Sequence, residues 1–219
     1  MSRECAAIIV AAGSSRRMGF DKLTAPLAGR PLVLHGVAAF QQCSAIADIV
    51  CVCAAERVEE FRALVSGFSK VRAIVPGGRE RVESVLAGVA AHGEPGPRFV
   101  AVHDGARPLI SPAAIAACCE AAHEFGAAVS AEPVTDTLHR ADRDGLTFET
   151  VSRDNLWRMQ TPQIMETSVL ESLLRRSLDA GAAVTDEISL LIRSGHIAKV
   201  VDHPDWNFKV TYPRDLVLA

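Results

Sequence analysis

The sequence predicts an α/β chain built on a mainly parallel sheet, with a protruding two-stranded β-arm, and three observations predict it. Short apolar runs alternate with helical patterns along most of the chain. The alternation breaks over residues 134–151, where turn-rich polar residues separate two short β-prone stretches. It then resumes to the C-terminus.

In order, Ala6 to Ala12 reads as a buried strand, Leu32 to Gln42 as a helix, Ile49 to Cys53 as a strand, Arg57 to Ser66 as a helix and Val71 to Val75 as a strand. Val82 to Ala91 reads as a helix and Phe99 to His103 as a strand. Ser111 before Pro112 marks a helix start, an N-cap ahead of proline at the first helical position, and Gly126 closes that helix before the strand Ala127 to Glu132. Thr137-Leu138-His139 and Leu146-Thr147-Phe148 flank Arg140 to Gly145 and form the arm, residues 134–152. An isolated hairpin is marginal in water, so its apolar residues need another surface, and a second copy of the chain is the economical one. A homodimer is therefore expected. Leu156 to Met165 is extended, Thr167 to Ala180 and Asp186 to Ser194 are helical, Ile197 to Val201 and Phe208 to Thr211 are strands, and Pro213 opens a last helix. With no repeat or linker, residues 1–219 read as one domain carrying the arm.

A chain of 219 residues buries enough apolar surface to fold without staples. The six cysteines show no C-x-x-C pair and no histidine at zinc spacing, so they read as small core hydrophobes of a reduced protein. Cys51 and Cys53, sharing one face of a strand, are the pair nearest to a thiol ligand set. The apolar run at residues 6–12 is too short for a signal segment or a membrane span, which points to a cytoplasmic protein with no membrane partner. A formal charge of −3 argues against nucleic acid as a partner, so an anionic ligand must meet a local basic cluster.

That cluster begins in Ala11-Ala12-Gly13-Ser14-Ser15-Arg16-Arg17-Met18-Gly19-Phe20-Asp21-Lys22, directly after a buried strand. Small residues let backbone N–H groups approach phosphate oxygens, and Arg17 and Lys22 can neutralise them. Neither G-x-G-x-x-G nor G-K-[ST] is present, which weighs against a dinucleotide oxidoreductase and a P-loop ATPase.

A-A-G-x-x-x-R-M-G followed by lysine resembles the signature of nucleotidyltransferases that activate sugars. In sequence order, Val102-His103-Asp104-Gly105-Ala106-Arg107-Pro108, Asp136-Thr137, Arg153-Asp154-Asn155-Leu156-Trp157, Gln160-Thr161-Pro162-Gln163, Thr185-Asp186-Glu187 and Phe208-Lys209-Val210-Thr211 narrow the resemblance to 2-C-methyl-D-erythritol 4-phosphate cytidylyltransferases. The resemblance implies a doubly wound, Rossmann-like nucleotidyltransferase fold, an arm that interlocks two subunits, and a magnesium ion. It also implies transfer of CMP from CTP to a sugar-alcohol phosphate in non-mevalonate isoprenoid biosynthesis.

It further implies roles. Ala11, Ala12, Gly13, Arg17 and Lys22 would hold the triphosphate with magnesium, and Lys209 would reach the α-phosphate, making Arg17, Lys22 and Lys209 the catalytic set. Gly77, Gly78, Arg81, Ser84, Asp104 and Gly105 would bind the nucleotide. Asp104, closing a strand at the carboxyl edge, suits either magnesium or the ribose hydroxyls, or simply caps its own turn. Arg107, Thr137, Arg153 and Thr185 would form the acceptor pocket, Asp186 would orient it or cap its helix, and His103 reads as a packed neighbour. Trp157 and Trp206 read as core residues.

The sequence departs from the family pattern in Asp21-Lys22-Leu23, where Pro-Lys-Gln is usual, and in a shortened stretch between Met18 and Lys22. Gly105 replaces a common alanine and Arg79 a frequent acid. Three other readings stand beside the first: a ribitol-5-phosphate cytidylyltransferase, a molybdopterin nucleotidyltransferase, and a nucleotide-binding regulatory module without turnover.

Overall fold

The computed structural model describes residues 4–13, 18–181 and 184–219. Its central sheet has seven strands: β1 (Cys5–Ala11), β4 (Ile49–Cys53), β5 (Val71–Pro76), β6 (Phe99–Asp104), β7 (Ala127–Pro133), β10 (Trp157–Glu166) and β11 (Lys199–Val201). The order is β11-β7-β10-β6-β1-β4-β5, with every pairing parallel except those of β10. Two short strands, β2 (Pro26–Leu27) and β3 (Arg30–Pro31), form a small hairpin that the sequence reading passes over. Its Ala28-Gly29 turn has positive φ at both residues, 47° and 83°, as a two-residue hairpin turn requires.

The strand period of two sorts side chains into two cores. Ala7, Ile9 and Ala11 of β1, Ile49, Cys51 and Cys53 of β4, and Phe99 and Ala101 of β6 face one way. They meet α1 (Val33–Gln42), α2 (Val58–Leu64) and α4 (Pro112–Phe125) through Val37, Phe40, Phe61, Ile115 and Cys118. Ile8, Val50, Val52, Val100 and Val102 face the other way. There they meet α3 (Arg81–Ala90), α5 (Thr167–Asp179) and α6 (Glu187–Arg193) through Val85, Leu170, Leu174 and Leu191. Helices on both faces explain the unbroken apolar runs and make the sheet doubly wound. All six cysteines are buried and unpaired, and burial pushes the Cys51 thiol up to about 12. They are core residues, as their spacing suggests.

Helix ends follow the local chemistry. The Ser111 hydroxyl accepts the Ala114 N–H at 3.1 Å, and Gly126 ends α4 at φ +83°. One expectation fails: Phe208 to Thr211 forms no strand. The Val210 N–H bonds to the Ala106 carbonyl at 2.9 Å, in a loop after β6, so the segment is held at the carboxyl edge and not beside another strand. The chain closes with α7 (Pro213–Leu218).

The reversed direction of β10 places the arm. Because β7 runs parallel to β6 and pairs with antiparallel β10, β7 ends where β10 begins, with Pro133 opposite Trp157. The arm, β8 (Leu138–Ala141) paired with β9 (Thr147–Val151), therefore leaves from the carboxyl edge, the edge that also carries Ala11, Asp104 and Pro76. Leu146 and Phe148 on it are 68% and 64% exposed. No described helix is long and apolar enough to cross a membrane.

Candidate active site

Parallel strands bring their C-terminal ends, and the loops that follow, to one edge, where ligands of open α/β sheets bind. At the end of β1, Ala11, Ala12 and Gly13 line a cavity of about 360 Å³ with Asp21, Ala54, Glu56 and Arg57. Arg17, assigned above to catalysis, lies outside the described residues.

Asp21, the departure from the usual proline, is tied down. Its carboxylate accepts the Leu23 N–H at 3.1 Å and the Thr24 hydroxyl at 2.5 Å, and pairs with Arg57 at 2.8 Å. This Asx-type turn sets the direction of the next residue in place of a proline ring. Lys22 then donates from Nζ to the Val210 carbonyl at 2.8 Å, across 188 residues of sequence. Lys22 and the Lys209 segment thus converge.

Asp104, at the end of β6, is buried and gathers cations. Arg81 donates to Oδ1 at 2.7 Å, Lys209 to Oδ2 at 2.8 Å, and Arg107 Nε lies 3.7 Å from Oδ2. Burial opposes ionisation of Asp104, but Arg81, Lys209 and Arg107 outweigh it and hold the carboxyl well below the usual range. Arg81 is gripped from its other side by Glu187, through Nε and NH2 at 2.9 Å each. Burial opposes its charge too, and Glu187 and Asp104 together hold its pKa above the ordinary arginine value. Sequence reasoning quoted Glu187 in a motif but gave it no role; a glutamate in a first helical turn reads as a favourable dipole partner. Its full burial is what marks it.

Gly77 and Gly78 are glycines for a steric reason. A Cβ on Gly77 would lie 2.6 Å from the Ala12 Cβ and 2.8 Å from Ser84 Oγ, and one on Gly78 would lie 2.2 Å from the Glu83 Cβ. Their absence lets the ends of β1 and β5 and the start of α3 close together around Ser84. At Gly105 a Cβ would meet the Val10 carbonyl and Val33 at 3.2 Å, so alanine would fit there with a small adjustment.

The acceptor residues divide. Arg107 is turned inward, donating from NH1 to the Asn207 carbonyl at 2.7 Å, and belongs with Asp104. Thr137 and Arg153 flank the arm and are exposed, with Arg153 donating to the Thr135 carbonyl. Thr185 is exposed just before α6. Asp186 caps that helix, accepting the Ser189 N–H at 2.9 Å, and receives a bond from Gln163 of β10 at 3.1 Å.

His103 is packed: it is fully buried, contacts Phe40, and bonds to the Arg107 carbonyl and the Thr161 hydroxyl. Burial pushes its pKa down to about 4, which keeps it neutral. Trp206, read as a core residue, is 67% exposed. The buried residue beside it is Asn207.

Among the described residues no three His, Cys, Asp or Glu side chains converge into a metal cage. Asp104 has its oxygens engaged by Arg81 and Lys209, so it would be at most one ligand of a magnesium ion that takes its other oxygens from phosphates and water.

The family model for 2-C-methyl-D-erythritol 4-phosphate cytidylyltransferase matches residues 5–219. A cytidylyltransferase of that name from Pelotomaculum thermopropionicum is 42% identical over 98% of this chain and 92% of its own. One from Symbiobacterium thermophilum is 41% identical over 97% and 89%. Among solved structures, 4-diphosphocytidyl-2C-methyl-D-erythritol synthase from Anaerococcus prevotii superposes with a TM-score of 0.86 at 25% identity, covering 99% of this chain and 94% of its own. The Thermus thermophilus cytidylyltransferase gives 0.80 at 28%, covering 97% and 95%. The chain belongs to the 2-C-methyl-D-erythritol 4-phosphate cytidylyltransferase family.

Proposed function

We infer that the chain transfers CMP from CTP to 2-C-methyl-D-erythritol 4-phosphate, giving 4-diphosphocytidyl-2-C-methyl-D-erythritol and pyrophosphate, a step of non-mevalonate isoprenoid biosynthesis. Beyond family membership, one observation carries the reading. Two lysines from opposite ends of the chain meet on one strip of the carboxyl edge, Lys22 on the Val210 carbonyl and Lys209 on Asp104.

In the transfer an acceptor phosphate oxygen forms a bond to the α-phosphorus as the bond to the bridging oxygen of pyrophosphate breaks on the far side. The phosphomonoester is already ionised near neutral pH, so no strong base is needed. The work is to hold two anions together and stabilise charge at phosphorus. Arg17, Lys22 and Lys209 take that task, with Ala11, Ala12 and Gly13 supplying backbone to the triphosphate. A magnesium ion held by phosphate oxygens and Asp104 would neutralise charge on the departing pyrophosphate.

The cytosine seat lies among Ala12, Gly77, Gly78 and Ser84. The Ser84 hydroxyl donates to the Glu80 carbonyl at 3.1 Å and accepts the Gly78 N–H at 3.2 Å, so its free lone pair accepts from an exocyclic amine. Arg81 and Gly105 complete the nucleotide side, and Arg107, Thr137, Arg153 and Thr185 take the acceptor. The chain acts as one domain whose residues 134–152 pair with a second copy, supported by the exposed Leu146 and Phe148. The buried, unpaired cysteines support a cytoplasmic setting.

Purified protein given CTP, magnesium and either methylerythritol phosphate or ribitol 5-phosphate tests the reading through pyrophosphate release. Turnover with the first acceptor is expected. A strong preference for ribitol 5-phosphate would replace the substrate, and CTP binding without turnover on any acceptor would replace the enzyme by a regulatory module.

A further inference from the structure

We infer that Asn207 is a positioning residue for Lys209, an inference that rests on the role of Lys209 given above. Residues 202–212 form no helix or strand, so no backbone ladder fixes where Lys209 sits. Beside the Val210 N–H bond to the Ala106 carbonyl and the His203 contact with Ser130, Asn207 supplies a buried side-chain anchor. It is 1% exposed, between the exposed Trp206 and the half-buried Phe208. Its Nδ2 donates to the Thr161 carbonyl at 2.8 Å and the Ser130 hydroxyl at 3.2 Å, one acceptor on β10 and one on β7. Its own carbonyl accepts Arg107 at 2.7 Å. One residue therefore binds the loop to two strands and takes hold of a cation of the Asp104 cluster.

The consequence appears two residues later. With Asn207 anchored, Lys209 lies 2.8 Å from Asp104, and the Val210 carbonyl stands 2.8 Å from Lys22 Nζ. The placement of Lys209 against Asp104 depends on the path of this loop.

The side chain must be an amide. Its two N–H groups meet two acceptors, whereas aspartate would set an acceptor against the Thr161 carbonyl, and leucine would take the amide donor away from both that carbonyl and the Ser130 hydroxyl. The Thr161 carbonyl also fixes which way the amide faces. Its Oδ1 is buried with no hydrogen-bond partner among the described residues. Such an orphan lowers stability, which fits a side chain retained for placement.

The test is a kinetic cycle of wild type, Asn207→Ala, Lys209→Ala and the double variant, with kcat and KM for CTP measured in each. Asn207→Ala is expected to lower kcat by about 10- to 100-fold, the scale of a misplaced reacting group. KM for CTP should stay within about threefold. In the Lys209→Ala background the same change is expected to do almost nothing, because a residue acting through Lys209 has nothing left to position. Equal losses in both backgrounds, or full turnover by Asn207→Ala, would overturn the inference. Full turnover by Lys209→Ala alone would instead overturn the role of Lys209. If Asn207→Ala does not fold, Ser130→Ala, which removes one acceptor of the amide, enters the same cycle. A loss of about 3- to 10-fold is expected, confined to the background that retains Lys209, and equal losses or none would overturn the inference.

Discussion

The two sides of the site are built on different terms. At the strand edge, Arg81 and Lys209, with Arg107 proposed for the acceptor, surround Asp104, and Glu187 clamps Arg81, so three cations face two carboxylates in a largely buried lattice. The acceptor side offers Thr137, Arg153 and Thr185, all exposed. The first side centres on Asp104, at a strand end that the sheet fixes. On the second, Thr137 and Arg153 sit beside the arm and Thr185 just before α6. The fold thus preorganises one reactant's seat, with an excess positive charge that a triphosphate meets on arrival. The residues proposed for the other reactant, Thr137, Arg153 and Thr185, are exposed within one copy of the chain, which is why a second copy belongs to the proposal.

The largest expected effect breaks the comparison at the arm. Replacing Leu146 and Phe148 together by aspartate puts charge on the apolar face proposed to pair two copies. Sedimentation should then show a monomer that has lost turnover, while calorimetry still shows CTP binding. A verified monomer with full turnover would mean that one copy completes the acceptor seat.

The next effect tests the nucleotide side. Lys22→Ala is expected to lose roughly 2.7 to 4 kcal/mol of transition-state stabilisation, about 10²- to 10³-fold in kcat. Steady-state kinetics with saturating acceptor measures it, and near-normal kcat would remove Lys22 from the transfer step.

How much of this was legible in the sequence follows from the range of each interaction. The run Ala6 to Ala12, the Ser111-Pro112 start and the Gly126 stop are local signals, and the structure has strand, cap and turn at those places. The edge location of Asp104 followed from its place after an apolar run. Its partners did not, because Arg81 and Lys209 reach it from 23 and 105 residues away. Phe208 to Thr211 has a strand's composition, but loop contacts and not a ladder hold it, so propensity misread it. Asn207 beside that run carried no signal, since an asparagine next to a strand reads as a turn residue. Its meaning comes from Thr161 and Ser130, which only the folded sheet brings near.

The smallest effect concerns base choice on the preorganised side. Ser84 is buried, and the Glu80 carbonyl holds its proton. A hydroxyl so tied can accept from the amine of cytosine but has no proton to give the corresponding carbonyl of uracil. Ser84→Ala removes that asymmetry and leaves the Gly78 N–H to find another acceptor. The change should narrow the CTP preference over UTP by about 1 kcal/mol, the net worth of a hydrogen bond between neutral groups, or about fivefold in the ratio of kcat/KM values. Competition between the two nucleotides under one set of conditions gives that ratio directly. If it stayed unchanged, discrimination would have to lie in backbone groups near Gly77 and Gly78, where only the chain's close approach, and no side chain, could read the base.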